Sequence, residues 1–243
     1  MIRTTLGAFA ALTLAAAAFA QDGEDAGEQA PLTVIHAGTL IAAPGEADPR
    51  QEVSILVRGE RIEGIEDGYV EPDGAALVDL SEHWVMPGFI DSHVHITSQT
   101  GPGRRWMPFT HSSADLALDG AQYARLTLEA GFTAVQDVGA DMEAVRALRD
   151  GIESGDVIGP RLRIAGGAVT PTGGHADING YNIEILRAMG SPYACNGPDD
   201  CARSVRQLVQ EGADVIKITA TGGVLSSTGA GVEQQFFEAE LEA

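Results

Sequence analysis

Gly88-Phe89-Ile90-Asp91-Ser92-His93-Val94-His95 carries two histidines, at i and i+2, out of the end of an apolar run. On an extended strand alternate side chains share one face, so both imidazoles can approach a single metal ion. The plainer alternative is a pair of histidines on one sheet face, each satisfied by its neighbours. Position favours the ligand pair. It ends the first strand of a region where strands and helices alternate, and barrels of that kind place their reactive groups at the C-terminal ends of strands. Pro87-Gly88 marks the boundary with what comes before.

On the N-terminal side the apolar runs are short. Residues 32–35, 53–57, 62–65 and 77–80 read as strands broken by Gly, Pro and Asp, a small β domain over 32–87. On the C-terminal side the rhythm is strand, helix, strand. A strand over 85–90 ending at Asp91 is followed by a helix capped by Ser112 or Ser113, running to 130 and closed by Gly131. Then come a strand over 132–138, a helix over 142–153 with Val145, Leu148 and Ile152 on one face, and a strand over 162–165. A helix over 199–211 ends at Gly212, and a strand over 214–219 follows. Residues 236–243 have the look of a helix's first turns. The expected fold class is α/β: a small β-sandwich-like unit, then over 88–243 the first half of a TIM-like (β/α)8 barrel. Only four barrel strands fit, so the expectation is a chain truncated after strand four.

Composition bounds the address and the partners. The 243 residues are 44% hydrophobic and 5% aromatic, with a formal net charge of −20. That field argues against nucleic acid and anionic membranes as partners. Residues 1–20 read as a signal peptide, with Arg3 as the positive end, an apolar stretch over 6–17 and an Ala18-Phe19-Ala20 cleavage site ahead of Gln21. An acidic, flexible leader over 21–31 follows. The stretch is short for a membrane anchor, so a secreted or periplasmic protein is expected. In an oxidising compartment Cys195 and Cys201 can form a local disulfide; two unlinked thiols on a loop and a helix start are the other reading.

Lys217 is the only lysine among fifteen basic residues, and it lies inside the apolar run Val215-Ile216-Lys217-Ile218. Arg stays a cation, whereas a buried Lys can become a neutral amine. A neutral amine can take up CO2 and become an anionic carbamate able to bridge two metals. The alternative is a lysine reaching solvent from a strand end.

Together these features resemble the amidohydrolase superfamily: a small β unit, Pro87-Gly88-Phe89-Ile90-Asp91-Ser92-His93-Val94-His95 on strand one, and Ala213-Asp214-Val215-Ile216-Lys217-Ile218 on strand four. Thr172-Gly173-Gly174-His175 and Ala220-Thr221-Gly222-Gly223-Val224 are similar to the imidazolonepropionase-like and prolidase-like branch. Gln136 stands where that branch has Arg, and Ala176 where it has Gly. The resemblance implies two divalent metal ions, zinc foremost, bound by His93, His95 and a CO2-derived carbamate on Lys217. The family's remaining ligands, two histidines and an aspartate, come from later strands. His175, with Gly173 and Gly174, is expected to contact substrate, and Asp137 to support the site from behind. His36, His83 and His111 are expected to be structural or solvent-facing.

The resemblance further implies a metal-activated hydroxide attacking a C–N amide bond. The substrate would be a small dipeptide or N-acyl amino acid. Hydrolysis of a cyclic amide, or a non-catalytic secreted domain, are the alternatives. Association into homo-oligomers is left open.

Overall fold

In the computed structural model, residues 30–45, 47–223 and 231–243 are described. Residues 1–20, read above as a signal peptide, and nearly all of the acidic stretch over 21–31 lie outside them. The chain divides into two compact units, one ending at Met86 and one spanning Pro87–Ala243.

The first unit is a four-stranded sheet of β1 (Leu32–Leu40), β2 (Arg50–Arg58), β3 (Arg61–Asp67) and β4 (Ala76–Val85), in the order β3-β2-β1-β4. β1 runs antiparallel to β2 and parallel to β4. Ala37, Leu40, Val53 and Ile55 form its core. The strands run longer than their apolar runs, because sheet pairing holds polar residues as well. Val85 therefore closes β4, where it pairs with Leu40, and does not open the next strand as the sequence suggested.

The second unit alternates strand and helix. In chain order it contains β5 (Phe89–Val94), α1 (Met107–Thr110), α2 (Ser113–Glu129), β6 (Phe132–Asp137), α3 (Met142–Glu153), β7 (Arg161–Ile164) and β8 (Ala168–Pro171). α4 (Ile183–Met189), β9 (Ala194–Cys195), α5 (Pro198–Glu211), β10 (Lys217–Ile218) and α6 (Glu238–Leu241) complete it. α2 begins with a reciprocal cap between Ser112 and Asp115 and is followed by Gly131 at φ +97°. α5 ends at Gly212 in the left-handed region.

The strands pair in parallel as β5-β6-β7 and as β10-β8-β9. β7 and β8 are one strand interrupted by Gly166-Gly167. Ala140 donates its N–H to Gly166 O, the Met142 side chain lies against Gly166, and the Tyr193 ring lies on Gly167, so neither position has room for a Cβ. The segment at 214–219 bridges the break, because Asp214 N donates to Ile164 O (2.8 Å) and Thr219 N to Val169 O (3.1 Å). β5, β6, the interrupted β7/β8 strand and the 214–219 segment thus lie side by side in sequence order, with the short β9 on the other edge of β8. Ile96, Val135, Val145, Leu148, Leu162, Ile164, Val169 and Leu208 are buried together between strands and helices. Cys195 and Cys201 are joined as a disulfide that ties β9 to the first turn of α5.

Candidate functional site

β5 delivers its histidines through a bulge. Asp91 pairs with Val135 and Val94 with Asp137, so Ser92 and His93 together face Gln136. A bulge re-aims the side chains that follow it. Val94 packs into the core beneath the helices, which leaves His93 and His95 on the opposite side of the sheet. Their ring centroids are 5.6 Å apart, edge to face at 79°. His95 Nδ1 lies 2.7 Å from Gly139 O. A carbonyl can only accept, so Nδ1 carries a proton, and in the neutral ring Nε2 is the nitrogen with the lone pair.

Asp137 sits behind this pair and is fully buried. Its Oδ2 accepts the Ile96 N–H (2.6 Å) and its Oδ1 the Gly139 N–H (2.9 Å). One carboxylate thereby fixes the strand-one end that carries His95 and the residue whose carbonyl orients the His95 ring. Burial pushes the Asp137 carboxyl above the ordinary aspartate value; the Gly139 and Ile96 N–H groups, and the imidazoles of His95 and His93, oppose that rise. Gly139 is also a matter of space, because a Cβ there would stand 3.0 Å from His95 Cε1. Neither the bulge nor the role of Gly139 was anticipated from the sequence.

Lys217 is half-buried on β10, opposite Ala168. Its neighbour Ile218 pairs with Val169, a core residue under the helices. Alternation then puts Lys217 on the other side, the side that also bears His93 and His95. It has no hydrogen bond or ion pair among the described residues. Two residues on, Thr219 Oγ1 is buried with no partner among them.

His175 lies on the loop after β8, its ring packed against the backbone of Gly223 from the loop after β10. Its N–H donates to Gln235 Oε1 (2.9 Å), and its Nδ1 is buried with no partner among the described residues. Gly173 adopts φ +75°, which favours glycine. Phe109, before β6, and Tyr181, after β8, meet at 6.0 Å, with the exposed Trp106 6.4 Å from Phe109.

The structure brings His93, His95, Asp137 and Gly139 into one contiguous arrangement. It does not add a third imidazole or a carboxylate as a ligand: among the described residues no three His, Cys, Asp or Glu gather as a metal site. The other histidines stand apart. His36 is buried in the first unit, with Nε2 3.0 Å from Val70 O and its ring stacked on Tyr69. His83 is exposed, and His111 lies 3.8 Å from Asp119. Gln136 donates to Ser92 O at 3.4 Å.

The profile of the amidohydrolase family matches residues 84–243. The chain belongs to the amidohydrolase family. It is 29% identical over 236 residues to an ochratoxinase of Aspergillus niger, covering 88% of this chain and 47% of that protein. Among solved structures it is similar to a Xaa-Pro dipeptidase with methionine bound in the active site, at 36% identity and a TM-score of 0.77. It is also similar to a prolidase complexed with N-methylphosphonate-L-proline, at 30% and 0.72. Each of these matches covers 87% of this chain and 52% of the other. The chain spans about half the length of the relatives it matches.

Proposed function

We propose that this chain supplies half of the active site of a metal-dependent hydrolase that cleaves a C–N amide bond in a dipeptide or N-acyl amino acid. The observation that carries the reading is the His93–His95 pair with the His95 tautomer fixed by Gly139 O. A metal-binding histidine characteristically donates its other ring N–H to a carbonyl or carboxylate. The donor set fits divalent metal, zinc foremost: two imidazoles, and on the same face the half-buried Lys217 amine. His93 and His95 would hold one ion, and Lys217, as its carbamate, would supply an anionic oxygen donor for divalent metal. The carbamate forms when the neutral amine bonds to the carbon of CO2 and releases one N–H proton. When bound, the ions supply an activated water and a polarised scissile carbonyl.

The remaining work falls to the chain itself. Asp137 holds Gly139 in place, and Gly139 O keeps His95 Nε2 aimed outward. His175, on its glycine loop, contacts the substrate. The dipeptide class is supported by the prolidase and Xaa-Pro dipeptidase structures, whose bound ligands are a prolyl phosphonate and methionine. Export to a secreted or periplasmic location is supported by the Ala18-Phe19-Ala20 site and by the Cys195–Cys201 disulfide. No described helix is long and apolar enough to cross a membrane.

The test is the metal content and turnover of full-length protein against a panel of Xaa-Pro and N-acyl substrates, with Lys217→Arg beside wild type. Arg keeps the positive charge and cannot form the carbamate. The variant should lose metal and activity together. A folded Lys217→Arg protein with full metal and near-normal turnover refutes the carbamate's role as a donor. A wild type that hydrolyses none of the panel refutes the substrate class.

A further inference from the structure

We infer that Asp177 is a positioning residue for the loop that presents His175, and that it sets substrate affinity through that loop. The inference rests on His175 being a substrate contact. The loop leaves β8 through Thr172-Gly173-Gly174, and two glycines in a row give the backbone little to hold its own shape. Beyond its own turns, from Gly174 N to Pro171 O and from Asp177 N to Gly174 O, one carboxylate ties it to chain outside the loop. Asp177 Oδ2 accepts the Gly173 N–H (2.8 Å), while Oδ1 accepts the N–H of Ile178 (2.8 Å) and of Ser191 (2.9 Å). A local Asp turn explains the bond to Ile178. It does not explain a bond four residues back to Gly173, or one fourteen residues ahead to Ser191.

Asp177 has no cationic partner among the described residues, and its acceptors are spent on backbone N–H groups. It therefore gathers three stretches of chain rather than neutralising a charge. The far end of this brace is anchored. Ser191 leads into β9, which pairs with β8 through Thr170–Ala194 and Pro171–Cys195. Cys195 is bonded to Cys201 of α5. Between them Asn196 Nδ2 donates to Thr172 Oγ1 (2.8 Å), a second tie on the residue just before the glycines. Seen from His175, Gln235 holds one flank by the His175 N–H and Asp177 holds the other by Gly173.

Asparagine in place of Asp177 keeps the shape but turns an NH2 toward N–H donors, so at least one tie is lost. The experiment uses full-length protein and compares wild type, Asp177→Asn, Asn196→Ala and His175→Ala. The readouts are KM and kcat on Xaa-Pro dipeptides, metal content, and hydrogen exchange of peptides covering 172–178 and 190–194. The expected result for Asp177→Asn is faster exchange in both peptides, unchanged metal, and a KM raised about tenfold with kcat changed less. Asn196→Ala, which removes only the outer tie, should shift KM in the same direction by less, and it decides the matter if Asp177→Asn fails to fold. KM unchanged in both variants while His175→Ala raises it overturns the positioning role. KM unchanged in His175→Ala itself overturns the substrate role of His175, and the exchange data then show whether the brace alone stands.

Discussion

Gly139→Ala separates metal binding from folding more cleanly than removing a histidine. The glycine has an ordinary negative-φ backbone, so alanine is compatible with its conformation. The new Cβ would lie 3.0 Å from His95 Cε1 and 3.2 Å from Nδ1, whereas unstrained carbon contacts are at about 3.5–4.0 Å. The ring must therefore move by about 0.5 Å. It is exposed and free to do so, and a Gly→Ala change that fits stabilises by about 0.4–1 kcal/mol through the unfolded chain. Folding should be almost untouched, with the metal-free Tm within about 2 °C of wild type. The moved ring no longer meets the Gly139 carbonyl at 2.7 Å, and disturbing such a supporting contact costs about 10–100-fold in metal affinity. The assay is a chelator-competition titration with zinc on metal-free full-length protein, beside thermal unfolding of the same samples. Zinc affinity within about twofold of wild type would refute the argument that Gly139 sets the donor geometry. A large fall in Tm would show instead that Gly139 is a packing residue.

Asp137→Asn should lower the metal-free Tm by about 5 °C or more, because it leaves a buried N–H from Ile96 or Gly139 facing another donor, a loss of about 2 kcal/mol; an unchanged Tm in thermal unfolding counts against the clamp. Cys201→Ser should cost about 2 kcal/mol in denaturant unfolding, the loop-closure value for a sequence separation of 6, and a reductant should abolish the difference from wild type. Ser112→Ala should lower the Tm at neutral pH by about 2–4 °C through loss of the helix cap. Ser112 bonds hold the Asp115 carboxyl below its ordinary value. Their stabilisation is present above the unfolded value of about 4 and is lost as pH falls through the folded value. The Ser112 Oγ bond to the carboxylate is lost in acid while the cap bond from the Asp115 N–H to Ser112 Oγ remains, so the gap between the two proteins should narrow in acid, and a pH-independent gap would refute the assignment.

Helices were legible where the chain names its own ends. Ser112, one of the two caps the sequence offered, and Gly131 bracket α2, and Gly212 closes α5; the polar cap and the left-handed glycines are local devices whose meaning does not depend on the rest of the fold. The amphipathic face of α3 was equally plain, since Val145 and Leu148 are both buried. Strands were less so. Arg161-Leu162-Arg163-Ile164-Ala165-Gly166-Gly167 reads as a strand that ends in a loop. The strand in fact resumes at Ala168, because Gly166 and Gly167 make room for Met142 and Tyr193 and the line of pairing continues along 214–219. The two side chains that need this room lie 24 residues before and 26 residues after the glycines, so no local window could show why the glycines are there.

The candidate site divides along the same line. Residue types announce chemistry, so His93, His95 and the lone lysine stood out from sequence. Orientation is set by backbone atoms, which have no residue signature. The Gly139 carbonyl decides which His95 nitrogen is free, and Asp137 reaches two backbone N–H groups from behind the strand. The bulge at Ser92–His93 exists only in relation to Gln136 on the next strand. Asp177 is the sharpest case, since two residues after His175 it looks like an ordinary turn former. Its bond to Ser191 appears only once β9 has paired with β8. Glycines in this chain thus report on neighbours distant in sequence: Gly139 on His95, Gly167 on Tyr193, Gly223 on His175. Where such a glycine borders a reactive side chain, adding one methyl group perturbs the orientation of that side chain while leaving its chemistry intact, and this is the difference between knowing which residues form a site and knowing what aims them.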